Sequence, residues 1–172
     1  MPTAATGSRG TPKSRLLRLT DTPYGQCVDG FDAEAQQTAE ASAVAMLSGD
    51  EASRAAGVRL VRVSPGQAEM TMMVTSQMVN GHRIAHGGYV FLVADTAFAV
   101  ACNSYGAVTV AAGCDIDFVA PVHEGDELTA TAVERTRFGR NGLYDVAVRR
   151  ADGKVVAEMR GRSRTLRTAD DA

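Results

Sequence analysis

The stretch that most constrains this chain is HGGYVFLVADTAFAVAC, His86 to Cys102. From Tyr89 onward every position is apolar or aromatic except Asp95 and Thr96. It reads as a helix, and a helix apolar on all sides has to be enclosed. A curved antiparallel sheet wrapped around it encloses it on most sides, which predicts an α+β architecture of that kind. One flank stays open in such an arrangement, and an open apolar flank favours self-association. Asp95 needs its own account, because a carboxylate in apolar surroundings is costly unless paired, hydrogen-bonded or protonated. Either a backbone group or an arginine satisfies it, or it is kept partly desolvated so that it acts as base or nucleophile.

The rest of the chain supplies the sheet. GVRLVRV (57–63) and QAEMTMMV (67–74) alternate as strands about a Ser-Pro-Gly turn, with Ala68, Met70 and Met72 on one face. After the helix, VTVAAGCDIDFV (108–119) alternates so that Val108, Val110, Ala112, Cys114, Ile116 and Phe118 share a face. ELTATAVERTRF (127–138), LYDVAVRR (143–150) and KVVAEMRGRSRTL (154–166) follow, with turn signals at GRNG and Ala-Asp-Gly. Together these four predict an antiparallel meander. Ahead of the strands lies an Ala-rich helix, AEAQQTAEASAVAMLSG, with Asp32 placed to cap it and Gly49 to end it, then a short helical turn over 51–56. Residues 1–32 are rich in Thr, Ser, Gly, Pro and Arg without a period and are expected to be a flexible extension. Residues 33–167 form one domain and 168–172 a tail.

Composition narrows the function classes. A chain of 172 residues, 45% hydrophobic, can bury one substantial core. A formal net charge of −2 gives no reason to expect a nucleic-acid partner. No apolar run reaches the ~20 residues of a membrane span, and the basic start lacks the apolar region of a signal peptide. Cys27, Cys102 and Cys114 form neither a disulfide framework nor a CxxC pair. Cys102 and Cys114 read as small core residues, and a cytoplasmic setting is expected. There is no GxSxG, no P-loop and no GxGxxG after a strand. His82 and His86 have the spacing of a zinc motif, but Arg83 stands where its general base belongs. His82 is expected to be a loop histidine. No metal and no other cofactor is expected. Arg160, Arg162 and Arg164 alternate along the last strand, either as a solvated face or as a stripe for phosphate.

Gly87 and Gly88 open the apolar helix. Glycines there let another backbone or a ligand approach closely, and first-turn N–H groups can polarise a carbonyl and hold the oxyanion formed when it is attacked. Gly87 and Asp95 are eight residues apart, about 12 Å along one helix. They cannot both touch one reacting carbonyl within a single copy. Two helices antiparallel across a two-fold axis bring Gly87 of one near Asp95 of the other, and the open flank asks for the same pairing. His86 is expected to orient the helix start, Ser104 to cap its end, and Asn80 to hold a water or substrate oxygen or simply make a turn.

NGHRIAHGG followed by VFLVADTAFAVACNS, with CDIDFVAP and GDELTATA further on, closely resembles the hotdog-fold acyl-CoA thioesterases of the phenylacetate-degradation (PaaI) type. The resemblance covers about residues 33–167. It implies a six-stranded antiparallel sheet around the central helix, and a homodimer with shared sites, commonly a dimer of dimers. It further implies that Asp95 is general base or nucleophile, Gly87 polarises the thioester carbonyl, Asn80 helps place the attacking water and His86 supports the loop. Gly88, Arg160 and Arg162 are candidate substrate contacts. Aryl-acetyl-CoA thioesters such as phenylacetyl-CoA or hydroxyphenylacetyl-CoA are the substrates it favours. Some relatives supply a serine near the position of Ala111, which this chain lacks. Hotdog hydratases carry a histidine five residues after the aspartate, where this chain has Val100. The alternative from another class is a non-catalytic acyl-CoA sensor on the same fold.

Overall fold

The computed structural model of the protein describes residues 32–167. The extension up to residue 31, Cys27 within it, and the tail 168–172 lie outside the described residues. The Ala-rich helix is α1 (Ala33–Ser48), started by the Asp32 carboxylate, which accepts from the Glu34 N–H at 3.2 Å. The short α2 (Glu51–Ala55) is capped the same way by Asp50, which accepts from the Ser53 N–H at 3.0 Å. The strands β1 (Arg59–Ser64) and β2 (Gln67–Met73) pair about a turn in which Gly66 has φ +73°. A Cβ at Gly66 would stand 2.7 Å from the Tyr105 hydroxyl, so the turn needs glycine on both counts. Ala68, Met70 and Met72 are buried together on one face of β2, as their alternation predicts.

The apolar helix is α3 (Gly87–Asn103), and it packs against all six strands of a single antiparallel sheet. Burial follows from its composition: Val93, Ala94, Ala97, Phe98 and Ala101 are wholly enclosed. The ring of Phe98 meets Tyr144 edge-on at 5.4 Å. It also presses so closely on Gly161 that a Cβ there would come within 2.8 Å of it. Ser104 caps the helix end as expected, donating to the Ala101 carbonyl and accepting from the Gly66 N–H, both at 2.7 Å. The Asn103 amide takes both the N–H and the C=O of Thr109, so the strand that follows starts at a defined place.

The remaining strands are β3 (Thr109–Phe118), β4 (Glu127–Phe138), β5 (Asn141–Arg150) and β6 (Val155–Thr165), and the sheet order is β1-β2-β4-β5-β6-β3. Two expectations are corrected here. The predicted four-strand meander has only three members, because β3 pairs with β6 at the edge while β4 pairs with β2. The connection from β3 to β4 runs past the strand ends, bonded to Val156, Ala85 and Val74 on the way. It thereby closes the β1–β2 hairpin and the meander into one sheet. The second correction concerns the face of β3. A bulge between Ala111 and Gly113 shifts the alternation, so Thr109 and Ala111 lie on the same side as Cys114, Ile116 and Phe118. Val108 and Val110 are exposed instead.

Candidate active site

The loop before α3 folds back on itself and so fixes the helix start. Val79 and Ala85 make an isolated antiparallel bridge, and Ala85 also donates to the Val122 carbonyl at 2.8 Å. Asn80 closes the loop from within: its Oδ1 accepts from the His82 N–H at 2.9 Å, and its own N–H donates to the Ile84 carbonyl at 2.8 Å. His86 is the N-cap of α3, with Nδ1 accepting from the Gly88 N–H at 2.9 Å. That bond makes Nδ1 the acceptor nitrogen of the ring and holds the first turn in place. His82 is exposed in the loop, and His123 lies in the connection after β3.

Gly87 lines a cleft of about 230 Å³ together with Asn80, Val90, Phe118 and Pro121. Among the described residues its N–H has no hydrogen-bond partner, as befits the first turn of a helix. The ring of Phe118 lies so close that a Cβ on Gly87 would meet it at 3.0 Å. Asn80, His86, Gly87 and Gly88 are therefore gathered at one end of α3.

Asp95 is not with them. It stands two turns along the helix, half-buried, in a stripe with Gly88, Phe91, Leu92 and Ala99 that the protein's own sheet leaves partly open. This stripe is the open flank expected from the sequence, and the carboxylate lies at its centre. Among the described residues no ion pair involves Asp95. Its polar neighbour is the Cys114 thiol, which points at Oδ1 from 4.0 Å, the outer limit of a thiol hydrogen bond. Burial pushes the Asp95 carboxyl above the usual carboxylate range, and the nearby Asp50 charge pushes the same way. Among the described residues no arginine satisfies the Asp95 carboxylate, and it stands partly desolvated.

The arginines of β6 lie on the outer face, alternating with buried Met159, Gly161 and Ser163. Arg160 pairs with Asp145 at 2.7 Å, Arg162 with Asp115, and Arg164 with the Asn141 amide at 3.4 Å. That face is opposite the one covering α3, so the sheet separates these cations from Asp95.

Three neighbours of the candidate site escaped sequence reasoning. Cys114 is half-buried against Asp95 and not a plain core residue. Phe118 covers Gly87, and Asp50 places its charge near Asp95. The alternation of β3 did put Cys114 and Phe118 on the inward face, but no spacing rule shows which helix residue lies opposite. Nothing in the sequence signals the approach of Asp50.

Comparison with known proteins agrees with this fold. The thioesterase superfamily matches residues 82–157. The chain is 45% identical over 125 residues to the acyl-coenzyme A thioesterase PaaI of Escherichia coli (strain K12), spanning 73% of this chain and 89% of that protein. The structure of the E. coli PaaI protein from the phenylacetic acid degradation operon matches with a TM-score of 0.76 at 43% identity, covering 77% of this chain and 96% of that one. The TT0310 protein of Thermus thermophilus matches with a TM-score of 0.66 at 35% identity, covering 68% of this chain and 98% of that one.

Proposed function

The chain belongs to the thioesterase superfamily, and from that premise we propose that it is an acyl-CoA thioesterase of the PaaI type, working at sites shared between two copies. The observation that carries the reading is Asp95: a half-buried carboxylate without a cationic partner among the described residues, on the open stripe of an otherwise enclosed helix. Such a group costs stability where it stands, which is the mark of a residue kept for chemistry. Aryl-acetyl thioesters such as phenylacetyl-CoA or hydroxyphenylacetyl-CoA are the favoured substrates, since the related E. coli protein comes from the phenylacetic acid degradation operon. No helix of the described residues is long and apolar enough to cross a membrane, and the reading takes the enzyme to be cytoplasmic.

Gly87 and Asp95 lie about 12 Å apart along one helix, so the second group comes from a second copy whose α3 lies antiparallel against the first. The partner's Gly87 N–H then polarises the thioester carbonyl, and Asn80 and His86 hold the loop that presents it. Asp95 takes a proton from water as the water oxygen bonds to the carbonyl carbon, giving a tetrahedral oxyanion at the N–H. Collapse breaks the C–S bond, and the CoA thiolate leaves with the proton that Asp95 held. Direct attack by Asp95, with a mixed anhydride hydrolysed afterwards, gives the same products. Gly88, as the next first-turn residue, lies against the same carbonyl. Arg160 and Arg162 are assigned to the CoA phosphates, for which each exchanges its carboxylate partner. The homodimer pairs further into a dimer of dimers.

The test is thiol release from a panel of CoA thioesters by wild type, Asp95→Asn and Gly87→Pro. Proline suits the first helical position, and the extended backbone of His86 (φ −62°, ψ 130°) is what a residue before proline adopts. It therefore removes the N–H while keeping the helix backbone, and its Cβ, which would stand 3.0 Å from the Phe118 ring, is accommodated by a small shift of that exposed ring. Each variant alone is expected to lose at least about 100-fold in kcat, the scale of losing an oxyanion donor. Unfolding and refolding them together should restore about a quarter of wild-type activity, since a randomly paired heterodimer keeps one intact site of two. No recovery would place both residues in one copy's site. Thioester binding without thiol release by wild type would make the protein the acyl-CoA sensor instead.

A further inference from the structure

One turn of α3 before Asp95, at Leu92, opens a groove that the mechanism above does not use. It lies between α2 and the first half of α3, has a volume of about 360 Å³, and is lined by Ala52, Ala55, Met73, Met78, Tyr89 and Leu92. We infer that this groove receives the acyl arm of the thioester, and that the methyl side chains of α2 set how bulky that arm can be. The inference rests on the reading of Asp95 as the reacting carboxylate.

Position is the first argument. Leu92 and Tyr89 precede Asp95 by three and six residues, about 4.5 and 9 Å along the helix axis. An acyl group whose carbonyl is held at Asp95 therefore passes Leu92 and ends near Tyr89. Its far end is an aryl ring or a short alkyl chain. Chemistry is the second. Among the described residues the groove carries no cation, and its walls are methyl, thioether, isobutyl and phenol groups, with Thr75 and Gln77 as its polar lining. It suits an uncharged apolar arm and not the phosphates at the other end of CoA. The volume falls within the roughly 300–1,000 Å³ of small-molecule sites.

A buried hydrogen bond holds the wall in place. Ser53 and Thr96 share a buried hydrogen bond of 2.9 Å between their hydroxyls, and Thr96 adjoins Asp95 in sequence. This latch sets the spacing of α2 from α3 at the carboxylate. Ala52 and Ala55 then face the groove with one carbon each. Longer side chains at either position would fill the space that the latch leaves open. Both positions are exposed, so a larger residue there meets the groove and not the core.

The experiment compares Ala55→Leu and Ala55→Phe with wild type on acetyl-CoA and phenylacetyl-CoA. The ratio of kcat/KM for phenylacetyl over acetyl thioester is expected to fall in that order, by about tenfold or more for phenylalanine. An unchanged ratio overturns the inference, whether or not both activities drop. A second readout does not depend on turnover. In the Asp95→Asn background, the thermal shift that phenylacetyl-CoA gives beyond CoA alone should disappear when Ala55→Phe is added. Its persistence overturns the acyl groove even if wild type releases no thiol, an outcome that would count separately against the thioesterase reading.

Discussion

A single carboxylate carries most of the functional argument, and its surroundings make a pH statement. Burial raises the Asp95 pKa first, and the charge of Asp50 raises it further. In the proposed mechanism Asp95 is the base and must be ionised to act, so a raised pKa moves the acid limb of the rate profile to higher pH than an ordinary aspartate would give. Asp50→Asn should move that limb to lower pH while leaving the plateau rate near wild type, because asparagine still caps α2 and only the charge is lost. The measurement is kcat/KM against pH, and an unmoved limb would show that Asp50 exerts no influence on the base. The Cys114 thiol faces the same carboxylate, and burial together with the Asp95 charge pushes its pKa up. It therefore stays protonated and presents a hydrogen to Asp95, not a competing nucleophile. At this scale the sequence was partly legible: an aspartate inside an apolar helix is visible in a string of letters. Its neighbours Asp50 and Cys114 are 45 and 19 positions away and became neighbours only through folding.

Among the elements, α3 is held at its far end by a polar cluster unrelated to the chemistry. Glu134 Oε2 accepts from the Tyr105 hydroxyl at 2.8 Å and the Tyr144 hydroxyl at 3.1 Å, and Arg137 pairs with it at 3.2 Å. The Arg137 guanidinium lies 3.5 Å over the Tyr105 ring. Burial and the Glu134 hydrogen bond push the Tyr105 phenol up to about 12, so it remains a donor throughout the working range. The cluster ties the turn after α3 to β4 and β5, close to the bulge between Glu134 and Thr136. Glu134→Ala leaves the buried Tyr144 hydroxyl without its acceptor and should cost about 1–3 kcal/mol in urea unfolding. Glu134→Gln keeps an oxygen there and should cost less than alanine. Equal losses would mean that packing, and not the hydrogen bonds, holds this end. Element by element, alternation and caps were enough to find both long helices, α2 and the strands, because each depends on residues within a few positions of one another. The bulge in β3 was not legible. One extra residue leaves no compositional trace, yet it leaves Val108 and Val110 exposed and puts Thr109 and Ala111 on the α3 side, where Thr109 is buried and Ala111 stays exposed.

For the whole molecule, the proposed two-copy site requires that a second copy cover the partly open stripe of α3. Ala99 lies on that stripe one turn beyond Asp95 and is partly exposed. Ala99→Arg should therefore leave the subunit folded, shift the sedimenting species to monomer and abolish thiol release together. A monomer with full activity would remove the shared-site reading. The order of residues alone dictates the enclosed helix, the antiparallel sheet that must cover it, the caps at Asp32 and Ser104, and the distance that keeps Gly87 and Asp95 from serving one carbonyl in one copy. All of these follow from hydrophobic period, local hydrogen bonding and helix rise, which act over short stretches of chain. Three-dimensional packing was needed to send β3 out of the meander to the edge beside β6, and to turn the β6 arginines away from Asp95, Arg160 and Arg162 onto carboxylates. It alone set α2 beside α3 to leave a groove. Those outcomes depend on which distant surfaces meet, and strand order, a register shift of one residue and the approach of a second helix have no period for a sequence to display.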